Sequence, residues 1–217
     1  YDDNYRLGDV DQPINFDQIA QENKDRGALG SSDIFASSRN SHNWYGLLST
    51  LKTNLSDDLV LSGGIDARYY VGSHWYEVAD LLGGQFYINE SDDENTFGQA
   101  LKVGDRFNKD YDGKVVRSGL FAQAEYSPST DLSIFVATAV SNTTYSKEEF
   151  MYYAPNDPAR ESDSVDFLGY SIKGGANYNT DDTNNVFVNI GYFSKAPFLD
   201  GNVFQSDSST AFNEEAL

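Results

Sequence analysis

The sequence contains no cysteine, which excludes disulfide bonds, thiol catalysis and metal sites built on thiolates. It also lacks an opening segment of the signal-peptide type and any apolar run long enough to cross a membrane as a helix. Basic residues are few, since 15 Lys and Arg stand against 34 Asp and Glu, for a formal net charge of −19. A field of this sign repels phosphate backbones, so nucleic acid is not an expected partner.

Aromatic residues are plentiful although the mean hydropathy is only −0.54. The 217 residues include 15 Tyr and 14 Phe. Many aromatics in a polar chain fit the aromatic girdles of a membrane barrel or a stacking platform. A soluble β-sandwich also favours Tyr and Phe, so composition alone leaves both classes open.

Three segments of the chain share one pattern, in which an alternating strand, a short polar turn and a second alternating strand follow one another. These segments are residues 43–70, 119–145 and 170–198. In the second segment, Leu120, Ala122 and Ala124 alternate with Phe121 and Gln123. A period of two over about ten residues predicts a strand with one apolar and one polar face. The whole pattern predicts an all-β fold, an antiparallel transmembrane β-barrel segment of about six long strands with short periplasmic turns and long extracellular loops.

The three hairpins define the predicted organisation of the chain. Barrel strands are expected within residues 43–198, interrupted by long loops at 71–118 and 146–169. Residues 1–42 are expected to be an extracellular loop segment, and residues 199–217 a further, truncated loop segment.

Shorter elements are predicted inside the loops. Asn15 is expected to cap a short helix that ends near Asn23. Residues 75–82 are expected to form a helical turn or two. Asp112-Gly113 is a hairpin turn signal, which predicts a small loop hairpin around it.

Tyrosines fall at both ends of the predicted strands. Tyr126 and Tyr178 end strands beside the short turns, where an aromatic girdle would lie. The opposite girdle would consist of tyrosines near the loop ends, namely Tyr45, Tyr69, Tyr170 and Tyr192.

The number of strands restricts the architecture. Six strands do not close a transmembrane barrel, because the single-chain minimum is about 8. An open sheet with an apolar face does not sit in lipid with bare edges. Three explanations remain: further strands elsewhere in a longer protein, several chains that complete one barrel, or a sheet outside the membrane. The start at Tyr1 and the stop at Leu217 within a polar stretch favour the first.

Residues 185–198 resemble a late barrel strand of TonB-dependent outer-membrane receptors of the Bacteroidetes type. Three further segments also look like this family: residues 42–48, 64–70 and 80–84. The resemblance extends over most of residues 10–217. It implies a barrel of about 22 strands, with a plug domain inside it and a short box that engages TonB. The chain would then be a middle-to-late barrel segment.

The resemblance implies transport, with no bond made or broken. The substrate would be a siderophore, cobalamin, glycan or peptide, imported across the bacterial outer membrane into the periplasm. No catalytic residues emerge from the sequence, so no enzyme activity and no cofactor are expected. The implied partners are the lipid bilayer of the outer membrane, the plug domain, the remaining barrel strands, and the TonB complex through parts outside this chain. A surface lipoprotein is a further candidate partner.

Aromatic residues in the longest loop are the first candidate binding group. Trp75, Tyr76, Phe86 and Tyr87 would either stack on a substrate or pack the loop against itself.

Charged residues of the polar strand faces are the second candidate group. Asp66 and Arg68 share one face, and Lys52 is expected near them on the neighbouring strand. In a barrel this face lines the lumen, where the charges would pair with one another or face the plug or substrate. No metal site is predicted, because His42 and His74 are far apart in sequence.

Two alternative functions stay open. The chain would be either a soluble β-rich ligand-binding module or a strand-donating subunit of a multi-chain barrel. The environment of the apolar strand face separates the transporter from the soluble module, because this face contacts lipid in one and a second sheet in the other. The residues that report on it are Leu61, Ile65, Ile134, Val136, Ile172 and Ile190.

Overall fold

The fold is known from a computed structural model that describes residues 5–8 and 11–216. Tyr1 and Leu217 lie outside this part of the chain. The strands are β1 (Phe35–Asn54), β2 (Leu59–Asp80), β3 (Tyr87–Ile88), β4 (Ala100–Leu101), β5 (Arg106–Tyr126), β6 (Leu132–Glu149), β7 (Val165–Asn179) and β8 (Asn185–Ser194). Six of them form one sheet in the order β1-β2-β5-β6-β7-β8, and β3 pairs with β4. The pairings between these strands are antiparallel, so the predicted antiparallel β fold is confirmed in its main sheet.

The main helix is α1 (Phe16–Arg26). The side chain of Asn15 accepts a hydrogen bond from the backbone N–H of Gln18 at 3.2 Å, which confirms the predicted cap. The helix continues past the predicted end at Asn23. Single turns complete the helical structure: Gly27–Leu29, Pro158–Arg160, Leu199–Val203 and Glu214–Ala216. Within the described residues, no helix combines the length and the apolar character needed to cross a membrane.

The long strands extend far into regions that the sequence pattern assigned to loops. The loop prediction for 71–118 is wrong at both ends, because β2 runs on to Asp80 and β5 begins at Arg106. Asp112-Gly113 does not form a hairpin, since Gly113 lies inside β5 with partners on both neighbouring strands. Two complete ladders of backbone hydrogen bonds outweigh the local turn preference of this dipeptide.

The predicted helical turn at 75–82 is also wrong. Trp75 lies in β2 and pairs with Arg39 of β1. Bulky aromatic residues fit the pleated surface of a strand, and pairing of β2 with two neighbours fixes the extended backbone here. Likewise, β1 begins at Phe35, inside the segment 1–42 that was predicted as loop.

The connections between strands are short at one end of the sheet and long at the other. Residues 55–58, 127–131 and 180–184 form the short turns. In the last turn, the Asp181 carboxylate accepts hydrogen bonds from the backbone N–H groups of Thr183 and Asn184, both at 2.9 Å. The long connections span residues 81–105 and 150–164.

The strand register separates the sheet into an apolar and a polar face. Ile65, Leu120, Val140 and Tyr170 form one continuous row across β2, β5, β6 and β7. We call this apolar side the outer face and the opposite side the inner face. Outer-face side chains are exposed on all six strands, for example Leu47, Leu51, Ile65, Leu120, Val136, Ile172 and Ile190.

The six-stranded sheet remains open. In the described part of the chain, β1 pairs only with β2 and β8 pairs only with β7, so both are edge strands. The described residues therefore do not form a closed barrel.

The buried core lies at the long-loop end, beyond the apolar band of the strands. One cluster contains Val78, Leu81, Leu101 and Phe107, with Tyr76 and Tyr87 packed against it. A second cluster contains Tyr145, Val203 and Phe204. These clusters hold the long connections against one end of the sheet. The outer face itself is not covered by a second layer within the described residues.

Candidate functional site

The outer face carries two rows of tyrosines. The upper tyrosine row follows the loop side of the strands and not one line of paired residues: Tyr45 pairs with Tyr69 across β1 and β2, and the rings of Tyr170 and Tyr192 on β7 and β8 lie 6.0 Å apart. The lower tyrosine row contains Tyr126 and Tyr178, near the short turns. Tyr170 and Tyr178 lie eight residues apart in β7, which is about 27 Å along the strand. At the strand tilt of about 40° that is typical of outer-membrane barrels, this distance would span roughly 20 Å, against an apolar band of about 25 Å in such barrels.

On β6 and β7, polar side chains follow on the loop side of Tyr170, where Leu168 is still apolar and exposed. Asn142 and Thr144 of β6 both donate hydrogen bonds to the Asp166 carboxylate of β7, at 2.7 and 2.5 Å. Farther along the strands, Arg39 forms an ion pair with Glu77 at 2.8 Å. The apolar zone is therefore a band with two boundaries, and the second boundary is formed by the polar short turns.

The inner face holds a pocket of about 660 Å³. Its floor is formed by β2, β5 and β6, and one wall is formed by β8 and residues 195–198. The pocket is lined by three cationic side chains and several aromatic ones, namely Arg68, Arg117, Lys195, Trp44, Tyr70, Tyr145, Phe193 and Phe198.

Arg68 and Arg117 occupy the same row of the pocket floor, directly opposite each other on β2 and β5. Arg68 Nε lies 2.8 Å from Asp66 Oδ1 and forms an ion pair with it. Arg117 has no carboxylate within 4.0 Å among the described residues. The floor therefore carries two guanidinium groups and one carboxylate, and its charge is net positive.

Residues 195–212 turn back over the loop end of the inner face, and we call this segment the strap. The Tyr145 hydroxyl donates a hydrogen bond to the carbonyl of Pro197 at 2.7 Å, which fixes the strap beside the pocket. Farther along, Phe204 is 3 % exposed and stacks on Phe212 with ring centroids 5.4 Å apart. The strap thus has a hydrophobic core of its own on the sheet.

Lys147 of β6 is the main polar anchor of the strap. Its ammonium group donates hydrogen bonds to the carbonyls of Ser206, Asp207 and Ser209 at 2.8, 2.6 and 3.0 Å. It also lies 4.3 Å from the ring centroid of Tyr111. Only 1 % of Lys147 is exposed, so these acceptors replace the water that a buried ammonium group loses. No sequence motif indicates this role, because the acceptors are backbone groups about 60 residues away.

Asp207 attaches the strap a second time. Its carboxylate lies 2.7 Å from Lys109 Nζ. Burial disfavours the charged carboxylate, but the hydrogen bond and the positive charge of Lys109 outweigh it, and the pKa of Asp207 is lowered. At neutral pH the ionised carboxylate therefore holds the strap to β5.

The predicted lumen-facing charges all lie on the inner face, but the structure brings only two of them together. Asp66 and Arg68 form an ion pair. Lys52 lies opposite Ser62, four residues along β1 from the residue that faces Asp66. No ion pair joins Lys52 to either residue within the described chain. Arg117 and Lys195, which the sequence did not single out, complete the cationic group instead.

The predicted aromatic group is divided between two environments. Trp75 donates a hydrogen bond to Glu77 at 2.9 Å and lies 4.2 Å below the guanidinium carbon of Arg106. Tyr76 and Tyr87 pack against the Val78 cluster. These contacts pack the loop end of the molecule against itself.

Phe86 lies over Gly30, whose backbone φ of +75° favours glycine. A Cβ on Gly30 would meet the Phe86 ring at 2.7 Å, so the aromatic ring requires glycine at this position. The close contact links the long connection to the turn that follows α1.

The two histidines lie on the same side of the sheet. His42 faces Gly72 and His74 faces Asn40, so they occupy nearby rows of β1 and β2. His74 stacks on Tyr111, with ring centroids 4.9 Å apart. Within residues 5–8 and 11–216, no three His, Asp or Glu side chains come together as metal ligands.

No protein-family model matches this chain, and no curated protein and no solved structure matches it either. Its function is therefore inferred from the geometry of the two faces of the sheet.

Proposed function

We propose that the chain is a wall segment of a TonB-dependent outer-membrane transporter. The single observation that supports this most is the exposed apolar outer face, bounded by two tyrosine rows and then by polar residues. Tyrosines concentrate at the lipid–water boundary, because the ring prefers the apolar phase and the hydroxyl prefers water. A soluble two-layer sheet would bury this face, and the described residues supply no second layer.

The open edges mean that the proposed transporter needs further strands beside β1 and β8. Unpaired N–H and C=O groups in lipid each cost several kcal/mol, so a membrane sheet must be closed. In the proposed transporter, further strands of the barrel pair with β1 and β8. The inner face would then line the lumen together with a plug domain.

In the proposed mechanism, a substrate binds at the long-loop end and the inner face, the plug moves, and the substrate passes into the periplasm. TonB would supply the energy through parts outside this chain. The substrate classes remain a siderophore, cobalamin, glycan or peptide.

Fractionation of the native polypeptide tests the proposal. Cell envelopes would be separated on a density gradient and blotted with an antibody against residues 84–112. The expected result is an outer-membrane band several times larger than 24.1 kDa. A soluble band near 24.1 kDa would refute the proposal and favour a soluble binding module. A membrane band of that same mass would instead indicate a strand-donating subunit.

A further inference from the structure

The inner-face pocket concentrates positive charge in a strongly acidic chain. The formal net charge is −19, yet Arg68, Arg117 and Lys195 all line this one cavity. Asp66 neutralises part of this charge through its ion pair with Arg68. Arg117 and Lys195 form no ion pair within residues 5–8 and 11–216, and their two positive charges select for a negatively charged partner.

The positions of the two arginines destabilise the empty protein. Like charges directly opposite each other on neighbouring strands repel, and Arg68 and Arg117 are such a pair. An anion between them would remove this repulsion. A guanidinium group presents its N–H donors as a planar fork that matches the oxygens of a carboxylate or phosphate.

Aromatic residues form the walls next to these charges. Trp44 and Tyr70 face each other across β1 and β2, and Phe193 lines the opposite side. The volume of about 660 Å³ lies within the range of about 300–1,000 Å³ that is typical of small-molecule sites. This size fits a small molecule better than a folded partner.

We propose that the pocket binds an organic anion, in which a carboxylate or phosphate group adjoins a flat apolar or aromatic group. Arg117 binds the anionic group, and Arg68 also donates hydrogen bonds to it. Lys195 adds a positive charge at the rim of the pocket, on the strap side. Trp44 and Phe193 contact the flat part. That this anion is the transported substrate rests on the proposed function, whereas the binding site itself does not.

Ligand-observed NMR tests the site on the native, full-length polypeptide in detergent micelles. Saturation-transfer signals would be titrated for benzoate, phenyl phosphate and the neutral analogue benzamide. Saturable binding of benzoate or phenyl phosphate is expected, with benzamide at least ten-fold weaker. The two anions separate carboxylate from phosphate preference. Equal binding of benzoate and benzamide would overturn the proposal.

Variants locate the site. Arg117→Gln should weaken binding of the preferred anion at least ten-fold, and Arg68→Gln should weaken it less, because Asp66 shares that charge. Arg39→Gln is the matched control, since it removes an arginine from the Glu77 pair outside the pocket. Equal affinities for Arg117→Gln and Arg39→Gln would refute the assignment. If Arg117→Gln does not fold, Arg117→Lys gives the same test, with an expected smaller loss.

Failure of this inference is distinguishable from failure of the proposed function. Binding in micelles does not depend on where the polypeptide resides in the cell. An outer-membrane protein that binds neither anion retains the proposed function and loses the anion site. A soluble protein that binds benzoate through Arg117 retains the anion site and loses the proposed transporter function.

Discussion

Arg68 of β2 lies directly opposite Arg117 of β5, and of the two, only Arg68 has a carboxylate partner in the described part of the chain, Asp66 at 2.8 Å. The pair places two positive charges in one row of the inner face. An arrangement that opposes stability in the empty protein is typical of a binding site, where the ligand supplies the missing charge.

Removal of one charge from this pair should stabilise the empty protein. Arg117→Gln is expected to raise the free energy of unfolding by a few tenths to about 1 kcal/mol, because like-charge repulsion across the strands is lost. Urea unfolding of the variant in micelles would measure this. Arg39→Gln, the control, should be neutral or slightly destabilising, because it loses an exposed ion pair. A destabilised Arg117→Gln protein would contradict the repulsion.

Lys147 should hold the strap in place. Lys147→Met removes a donor from three carbonyl groups, and we expect a cost of about 1–3 kcal/mol to strap attachment. Hydrogen exchange of residues 203–210 should accelerate, while exchange in β6 changes little. Lys173→Met is the control: Lys173 is an exposed residue of β7, and its replacement should leave hydrogen exchange of the strap unchanged. Unchanged exchange in Lys147→Met would contradict the role of Lys147 as an anchor of the strap.

Strap attachment should weaken in acid. The lowered pKa of Asp207 means that its folded form prefers the ionised carboxylate. Its contribution is therefore present at neutral pH and is lost as the pH falls through this lowered pKa. Strap hydrogen exchange, corrected for intrinsic rates, should accelerate over this range in the unmodified protein. In Asp207→Asn this pH dependence should disappear, and an equal dependence in both proteins would contradict the assignment.

Gly64 should tolerate no side chain. A Cβ at this position would overlap the carbonyl oxygen of Ser49 and lie 2.7 Å from the Phe121 ring. Gly64→Ala is therefore expected to cost about 1–3 kcal/mol, because backbone and ring must both shift. Gly46→Ala is the control, since its Cβ would meet Trp44 at an ordinary 3.4 Å. Thermal unfolding of the two variants measures the difference, and similar stabilities would contradict the close approach.

The period-two alternation predicted the sheet well where one face is apolar. Leu120 to Tyr126 alternates cleanly, and the structure pairs it as predicted from the pattern, in β5. Beyond the upper tyrosine row the alternation ends, because polar residues occupy the outer face there and apolar inner-face residues are buried under the long connections and the strap. Val78 and Tyr111, for example, are 0 % and 1 % exposed. The strand extensions were missed for this reason.

The pocket depends on register, which the sequence pattern does not determine. The pattern places Lys52 and Asp66 on polar faces, but pairing puts Lys52 opposite Ser62 and leaves it away from Asp66. The same pairing brings Arg117 opposite Arg68, although the two residues are almost 50 positions apart in the sequence. Which side chains are neighbours across two strands is therefore known only once the pairing of the strands is known.

The most direct test of the membrane-wall assignment compares two neighbouring residues of β7. Because this chain has no cysteine, Ile172→Cys on the outer face and Ser171→Cys on the inner face can each carry one nitroxide spin label. In outer membranes, the label at 172 should collide with oxygen dissolved in lipid and be shielded from a water-soluble nickel chelate. The label at 171 should show the opposite preference. Equal access of the nickel chelate to both labels, or shielding of residue 172 from both reagents, would contradict a lipid-facing outer surface.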